Sequence, residues 1–129
     1  MPNIAILDDY TDAALSSADW GLLPEGYNIT VFNDHLSEQV GLIERLKGFD
    51  VICAMRERAP FPAQVFESLP KLKLFITTGM RNASVDISAA NKNGIIVCGT
   101  SGSGMSTPEH TWALLQACAR NIPHDAVMM

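Results

Sequence analysis

Five short apolar runs recur along the chain, separated by stretches in which apolar residues take helical spacing or give way to polar ones. The runs are Asn3 to Leu7 (NIAIL), Asn28 to Phe32 (NITVF), Phe49 to Ala54 (FDVICA), Leu72 to Thr77 (LKLFIT) and Ile95 to Cys98 (IIVC). Nearly continuous apolar character over so few residues is the mark of parallel strands buried on both faces. Between them, Thr11 to Leu23 reads as a weakly patterned helix. Ser37 is placed to N-cap a helix through Lys47, with Val40, Ile43 and Leu46 on one face and Gly48 as its stop. Pro62 opens a short helix ending at Leu69-Pro70, and Asp86 caps another through Lys92, which Asn93-Gly94 terminates. This alternation predicts an α/β fold: a flavodoxin-like, doubly wound, five-stranded parallel sheet. Such sheets bind ligands at the carboxyl ends of their strands, so the Thr77–Asp86 loop is the first place to look for chemistry.

The last segment breaks the pattern. Ser106 is expected to N-cap a helix with Glu109 at the capping-box position, running to Arg120 as STPEHTWALLQACAR. Trp112, Ala113, Leu114, Leu115, Ala117, Cys118 and Ala119 leave it almost no polar face, so it needs burial on more than one side. No further element is expected after it. A neighbouring domain or a second copy of the chain is therefore expected on that helix, and self-association through Ser106–Arg120 follows.

Composition narrows the function. The 129 residues are 47% apolar and 18% charged with a net charge of −5, which suits a globular protein and disfavours nucleic-acid or membrane-surface partners. Cys53, Cys98 and Cys118 lie in apolar runs and are expected to be small buried hydrophobes in a reducing compartment. His35, His110 and His124 lack metal-ligand spacing, so no metal is expected. With no basic leader and no long apolar segment, a cytoplasmic location is expected.

Several motifs carry a plain reading beside a chemical one. Asp8-Asp9 is expected to be a pair of solvated strand-end carboxylates, because the Asp and Lys of a phospho-receiver site are missing from the third and fifth strands. Gly99-Thr-Ser-Gly-Ser-Gly104 inverts the dinucleotide spacing and reads as a flexible crossover. Arg58 reads as a surface residue. Arg56, nearer the strand end, is placed to pair with a carboxylate or phosphate. His110 is expected to serve packing or an interface.

The segments LKLFITTGMRNASVDISAANKNGIIV and STPEHTWALLQACARNIP, taken together at this separation, resemble the N-terminal substrate-binding domain of the NAD(P)-dependent D-isomer-specific 2-hydroxyacid dehydrogenases, close to phosphoglycerate dehydrogenase and hydroxypyruvate or glyoxylate reductase. The resemblance implies that backbone amides of the loop after the fourth strand grip a substrate carboxylate, a role falling on Thr78, Gly79, Met80 and Arg81. It implies a substrate contact for Arg56 and a nicotinamide contact for Thr107. Where many relatives have Gly-x-Gly-x-Asp-Asn, this chain has Arg81 for the second Gly and Ala83-Ser84 for Asp-Asn.

The resemblance also implies that residues 1–100 form the substrate-binding domain and 101–129 the interdomain crossover and helix. It places the nucleotide motif and the catalytic Arg, Glu and His of the family beyond Met129, so that the chain reads as a truncated enzyme, inactive alone. The expected partner is a small carboxylate substrate, and the expected cofactor is NAD or NADP in the full-length parent, none bound to this piece. A stand-alone flavodoxin-like anion-binding or regulatory dimerisation module is the alternative.

Overall fold

A computed structural model describes residues 1–128 of the chain. Five strands, β1 (Asn3–Ile6), β2 (Asn28–Val31), β3 (Val51–Ala54), β4 (Leu74–Thr77) and β5 (Ile96–Gly99), form one sheet in the order β2-β1-β3-β4-β5. Every pairing is parallel. This is the flavodoxin-like order, and the register makes the ends of β3, β4 and β5 level, with Ala54 opposite Thr77 and Thr77 opposite Gly99.

Helices α1 (Gln39–Leu46), α2 (Ala63–Glu67) and α3 (Ile87–Lys92) supply Leu42, Leu46, Val65, Phe66, Ala89 and Ala90 to one core with Ala5, Ile52 and Phe75. The three strand residues alternate onto one face of the sheet, so all three helices pack there. At its centre Phe75 meets Phe61 at 4.6 Å and Phe66 at 5.6 Å between ring centroids, both edge-on. The opposite face is also apolar: Ile4, Val51, Leu74 and Ile96 form one row across it and Ile6, Cys53, Ile76 and Cys98 the next. Its cover thins toward the β5 edge, from 5% exposure at Ile4 to 64% at Ile96.

The expected helix over Thr11–Leu23 does not form; a single 3-10 turn at Trp20–Leu22 is all that remains of it. Side chains there satisfy the backbone instead. Asp9 accepts from the amides of Ala13 and Ala14 at 3.1 and 2.8 Å, and the Trp20 indole donates to the Ala14 carbonyl. In α1 the N-cap is Glu38 rather than Ser37, its carboxylate accepting from Val40 and Gly41, and Val40 is exposed while Leu42 and Leu46 are buried. Asp86 caps α3 as expected, accepting from Ala89 at 2.9 Å. β5 lies one residue later than the apolar run suggested, with Ile95 buried just ahead of it.

After β5, α4 (Ser106–Ala119) starts from Met105 with no side-chain cap, so Ser106 is inside the helix and the capping box is not made. A further helix, α5 (Ile122–Met128), follows where no element was expected. Among the helices and strands, α4 packs appreciably only on α5, and Trp112 remains 64% exposed. His110 is exposed on α4. Cys53 is half-buried, but Cys98 and Cys118 are exposed, against expectation, because β5 edges the sheet and α4 leaves it.

Phe75→Ala should lower unfolding free energy by about 3–5 kcal/mol in urea titration, the cost of truncating a buried aromatic without local collapse. Asp50 offers a second test. Its carboxyl is held below the usual value first by the hydrogen bond from the Asn3 amide and then by Lys73, against the opposing effect of burial. A depressed folded value means the stabilisation is present above the unfolded carboxylate's ordinary pKa and is lost as pH falls through the folded one. Urea midpoints measured from about pH 5 down to about pH 2 should therefore fall less steeply in Asp50→Asn than in the parent chain.

Candidate functional site

Three chain exits meet at the carboxyl edge. Arg56 follows β3, Thr78-Gly79-Met80 follows β4, and Thr100 to Gly104 follows β5; together they line a cleft of about 440 Å³. The Gly-rich crossover is thus one wall of the cleft. The loops are packed as closely as backbone allows: a Cβ on Gly99 would lie 2.7 Å from the Gly79 carbonyl oxygen and 3.0 Å from Met80 Cα. Gly79 has φ +97°, and a Cβ there would stand 3.1 Å from the Arg56 guanidinium. The cation is therefore laid against the loop.

Arg56 itself has φ +49°, uncommon for a residue with a long side chain. Its amide donates to Thr78 Oγ1 at 3.0 Å, and its carbonyl accepts from Asn82 Nδ2 at 2.6 Å. Asn82 also donates to Thr77 Oγ1 at 2.8 Å and accepts from the Ser84 amide at 2.9 Å. No carboxylate lies within ion-pair distance of the Arg56 guanidinium among the described residues.

The loop amides differ in their availability. The Gly79 amide donates to Thr100 Oγ1 at 2.9 Å, so it is already engaged within the chain. The Met80 and Arg81 amides have no partner among the described residues. Met80 is exposed at the cleft; the Arg81 side chain is exposed and lines neither this cleft nor the smaller one of about 230 Å³ behind the loop. Thr107 sits in the first turn of α4, exposed and outside the cleft lining. The geometry thus brings Arg56, Thr78, Gly79 and Met80 together and leaves the Arg81 side chain and Thr107 apart from them. It adds Thr100 and Asn82, which sequence reasoning did not single out. Thr100 immediately follows the fifth strand, level with Thr78; Asn82 is the one amide between Gly79 and the Asp86 cap.

The first strand ends differently. Asp8 and Asp9 are buried, contrary to the solvated pair expected, with Asp8 4% exposed and 2.6 Å from His35 Nδ1. Asp9 is consumed by the turn after β1. Arg58 is a surface residue stacked over the Tyr10 ring at 4.3 Å.

An open cleft with a cation that has no counter-ion among the described residues, and with successive backbone donors, can receive a small anion without needing a particular side chain in the loop. Comparison with known proteins gives that geometry a context. Residues 4–124 match the family described as D-isomer specific 2-hydroxyacid dehydrogenase, catalytic domain. Glyoxylate reductase of Korarchaeum cryptofilum is 28% identical over 124 residues, which is 94% of this chain and 35% of that relative. D-3-phosphoglycerate dehydrogenase of Methanocaldococcus jannaschii is 36% identical over 83 residues, covering 64% of this chain and 16% of that protein. The crystal structure of phosphoglycerate oxidoreductase from Vibrio cholerae O395 superposes with a TM-score of 0.83 at 36% identity, over 95% of this chain and 39% of that one. The chain therefore spans well under half the length of these relatives.

The Gly99 contact is directly testable. Gly99→Ala should force the two loops apart, costing about 1–3 kcal/mol in urea unfolding and shifting the Gly79 and Met80 amide resonances. Gly94→Ala is the control, since its Cβ would meet open space. Its φ of +73° should cost about 1 kcal/mol with no change at the cleft.

Proposed function

The chain belongs to the D-isomer specific 2-hydroxyacid dehydrogenase family, and from that membership we propose that residues 1–100 are the substrate-binding part of an NAD(P)-dependent oxidoreductase acting on D-2-hydroxy or 2-oxo acids, with 101–129 as the crossover and interdomain helix. The observation that carries this reading is the Arg56 guanidinium, without a carboxylate partner among the described residues and set against a Gly79 loop whose next two amides are open. A carboxylate entering the cleft would meet that cation and the amides of Met80 and Arg81. Arg56 donates bidentately to the carboxylate and the amides fix the orientation of the acid, so that its C2 is presented toward the open side of the cleft. Thr78 and Gly79 shape the floor.

The residues present do not fit a dinucleotide cofactor by themselves. No Gly-x-Gly-x-x-Gly occurs in the sequence, and α4 is followed by α5 rather than by the next strand of a nucleotide-binding unit. Thr107 is the one residue assigned toward the nicotinamide. The contribution of these residues to hydride transfer is thus binding and orienting the acid, and residues 1–129 alone are expected to show no turnover with NADH or NADPH. No helix among the described residues is long and apolar enough to cross a membrane, and a cytoplasmic location is part of the same reading.

Titration of the chain with glyoxylate, followed by amide NMR, should shift Arg56, Gly79, Met80 and Arg81. Arg56→Met should weaken binding about 10- to 100-fold, as expected for a lost charge-assisted hydrogen bond pair. Equal affinity in the variant would remove Arg56 from the site, and shifts confined to other parts of the chain would remove the cleft.

The proposed macromolecular partner is a second copy of the chain, through the Ser106–Arg120 helix. Exposed Trp112, Leu114 and Leu115 on α4, and exposed Ile96 on the outer sheet face, are the apolar surfaces such an assembly would bury. Sedimentation equilibrium should show dimers or larger species, with Trp112 protected from acrylamide quenching. A monomer at all concentrations would refute this assembly.

A further inference from the structure

Arg56 is held by its main chain rather than by its side chain. Its left-handed backbone has both polar groups taken by side chains from the β4 loop: the amide by Thr78 Oγ1 and the carbonyl by Asn82 Nδ2. The guanidinium is left without an ion pair among the described residues. Asn82 is 8% exposed and spends both polar atoms inside the chain, on Arg56, Thr77 and Ser84. Both of its N–H donors are taken by these bonds, which leaves none for an anion, so its role toward an anion is to place another group.

We propose that Asn82, seconded by Thr78, is the positioning residue of the anion site: it locks Arg56 in the left-handed conformation that lays the cation over Gly79. The proposal rests on the anion-binding reading above and adds the determinant that reading lacks. An ordinary right-handed or extended Arg56 would send its side chain in another direction from the same strand end, because rotating φ through the Cα swings Cβ relative to the sheet. The cation would then leave the Gly79 loop even though the residue, the strand and the core were unchanged. Only an amide side chain does both tasks required at position 82. Its Nδ2 donates to two oxygens on neighbouring strand ends while its Oδ1 accepts from the Ser84 amide. A carboxylate in the same place would keep the Ser84 bond and lose both donated ones.

The test compares Asn82→Leu, Asn82→Asp and Thr78→Val by NMR and by glyoxylate titration of the 129-residue chain. The Cα and Cβ shifts of Arg56 and its amide–Hα coupling report left-handed backbone directly, whatever the effect of a variant on melting temperature. Both Asn82 variants should lose that signature while the Phe75 and Leu46 resonances keep their folded positions. Glyoxylate affinity should fall about tenfold or more in Asn82→Leu. Thr78→Val, which removes the second anchor and conserves shape, should lose part of the signature and serves if the Asn82 variants do not fold. Retention of the left-handed signature in Asn82→Leu, or in Asn82→Asp where only the donor is lost, would overturn the proposal. Loss of the signature in a chain whose parent form shows no glyoxylate shifts would overturn the anion-binding reading and leave the positioning of Arg56 standing.

Discussion

The level ends of β3, β4 and β5 are the constraint on which the candidate site depends. Parallel register places Ala54, Thr77 and Gly99 side by side, so the residues two further along, Arg56, Gly79 and Ser101, emerge together at one edge. Neighbouring strands are only about 4.8 Å apart, which leaves little room for side chains where adjacent chains turn out of the sheet. Gly99 and Gly79 meet that limit: one admits the Gly79 carbonyl at a distance no Cβ tolerates, and the other admits the Arg56 guanidinium. The cleft is therefore a product of register and two missing side chains, and the hydroxyl of Thr100 fixes the β4 and β5 exits to each other.

Around Arg56 the energies nearly cancel. A left-handed non-glycine residue costs on the order of 1–3 kcal/mol. The two hydrogen bonds that hold it return about 0.5–1.5 kcal/mol each. What makes the arrangement persist is the asymmetry of the alternative. Releasing Arg56 would leave the largely buried Asn82 amide with a donor unpaired, and an unmade bond at a buried polar group costs more than a made one returns. Burial of Asn82 thus stabilises a conformation of Arg56 that Arg56 alone would not choose.

The strands and their order were legible because parallel β-structure writes itself as short, nearly continuous apolar runs, and all five were found that way. Local polar chemistry was harder to read. Asp9 looked like a solvent-facing strand end but takes two amides of the following turn, which removes the helix expected over Thr11–Leu23. Glu38 outcompeted Ser37 as the cap of α1 because its longer side chain reaches two amides at once. That Gly79, Arg56 and the loop would meet at the strand ends was visible, whereas the part of Asn82 and Thr100 was not: their significance lies in partners that are 26 and 21 residues away. A linear pattern carries periodicity and caps; it does not carry which hydroxyl an amide will meet across two strands.

The two faces of the sheet are unequal, and the inequality reaches the cleft. A parallel sheet needs cover on both sides. Here α1, α2 and α3 cover one, while the apolar rows on the other become progressively open toward Ile96 and Cys98 at the β5 edge. That same strand leads through Thr100 into the Gly-rich wall and on to α4, whose apolar surface is likewise open. Thr100 is tied to Gly79, but Gly102 and Gly104 have open space where a Cβ would stand, so those two positions of the wall are not closely packed among the described residues. In the proposed assembly, the position of the wall beyond Thr100 would therefore follow from where α4 docks. In the proposed assembly, burying α4 and shaping the mouth of the candidate cleft would be one structural event, because six residues of backbone, Thr100 to Met105, connect β5 to α4 and the first of them is tied to Gly79.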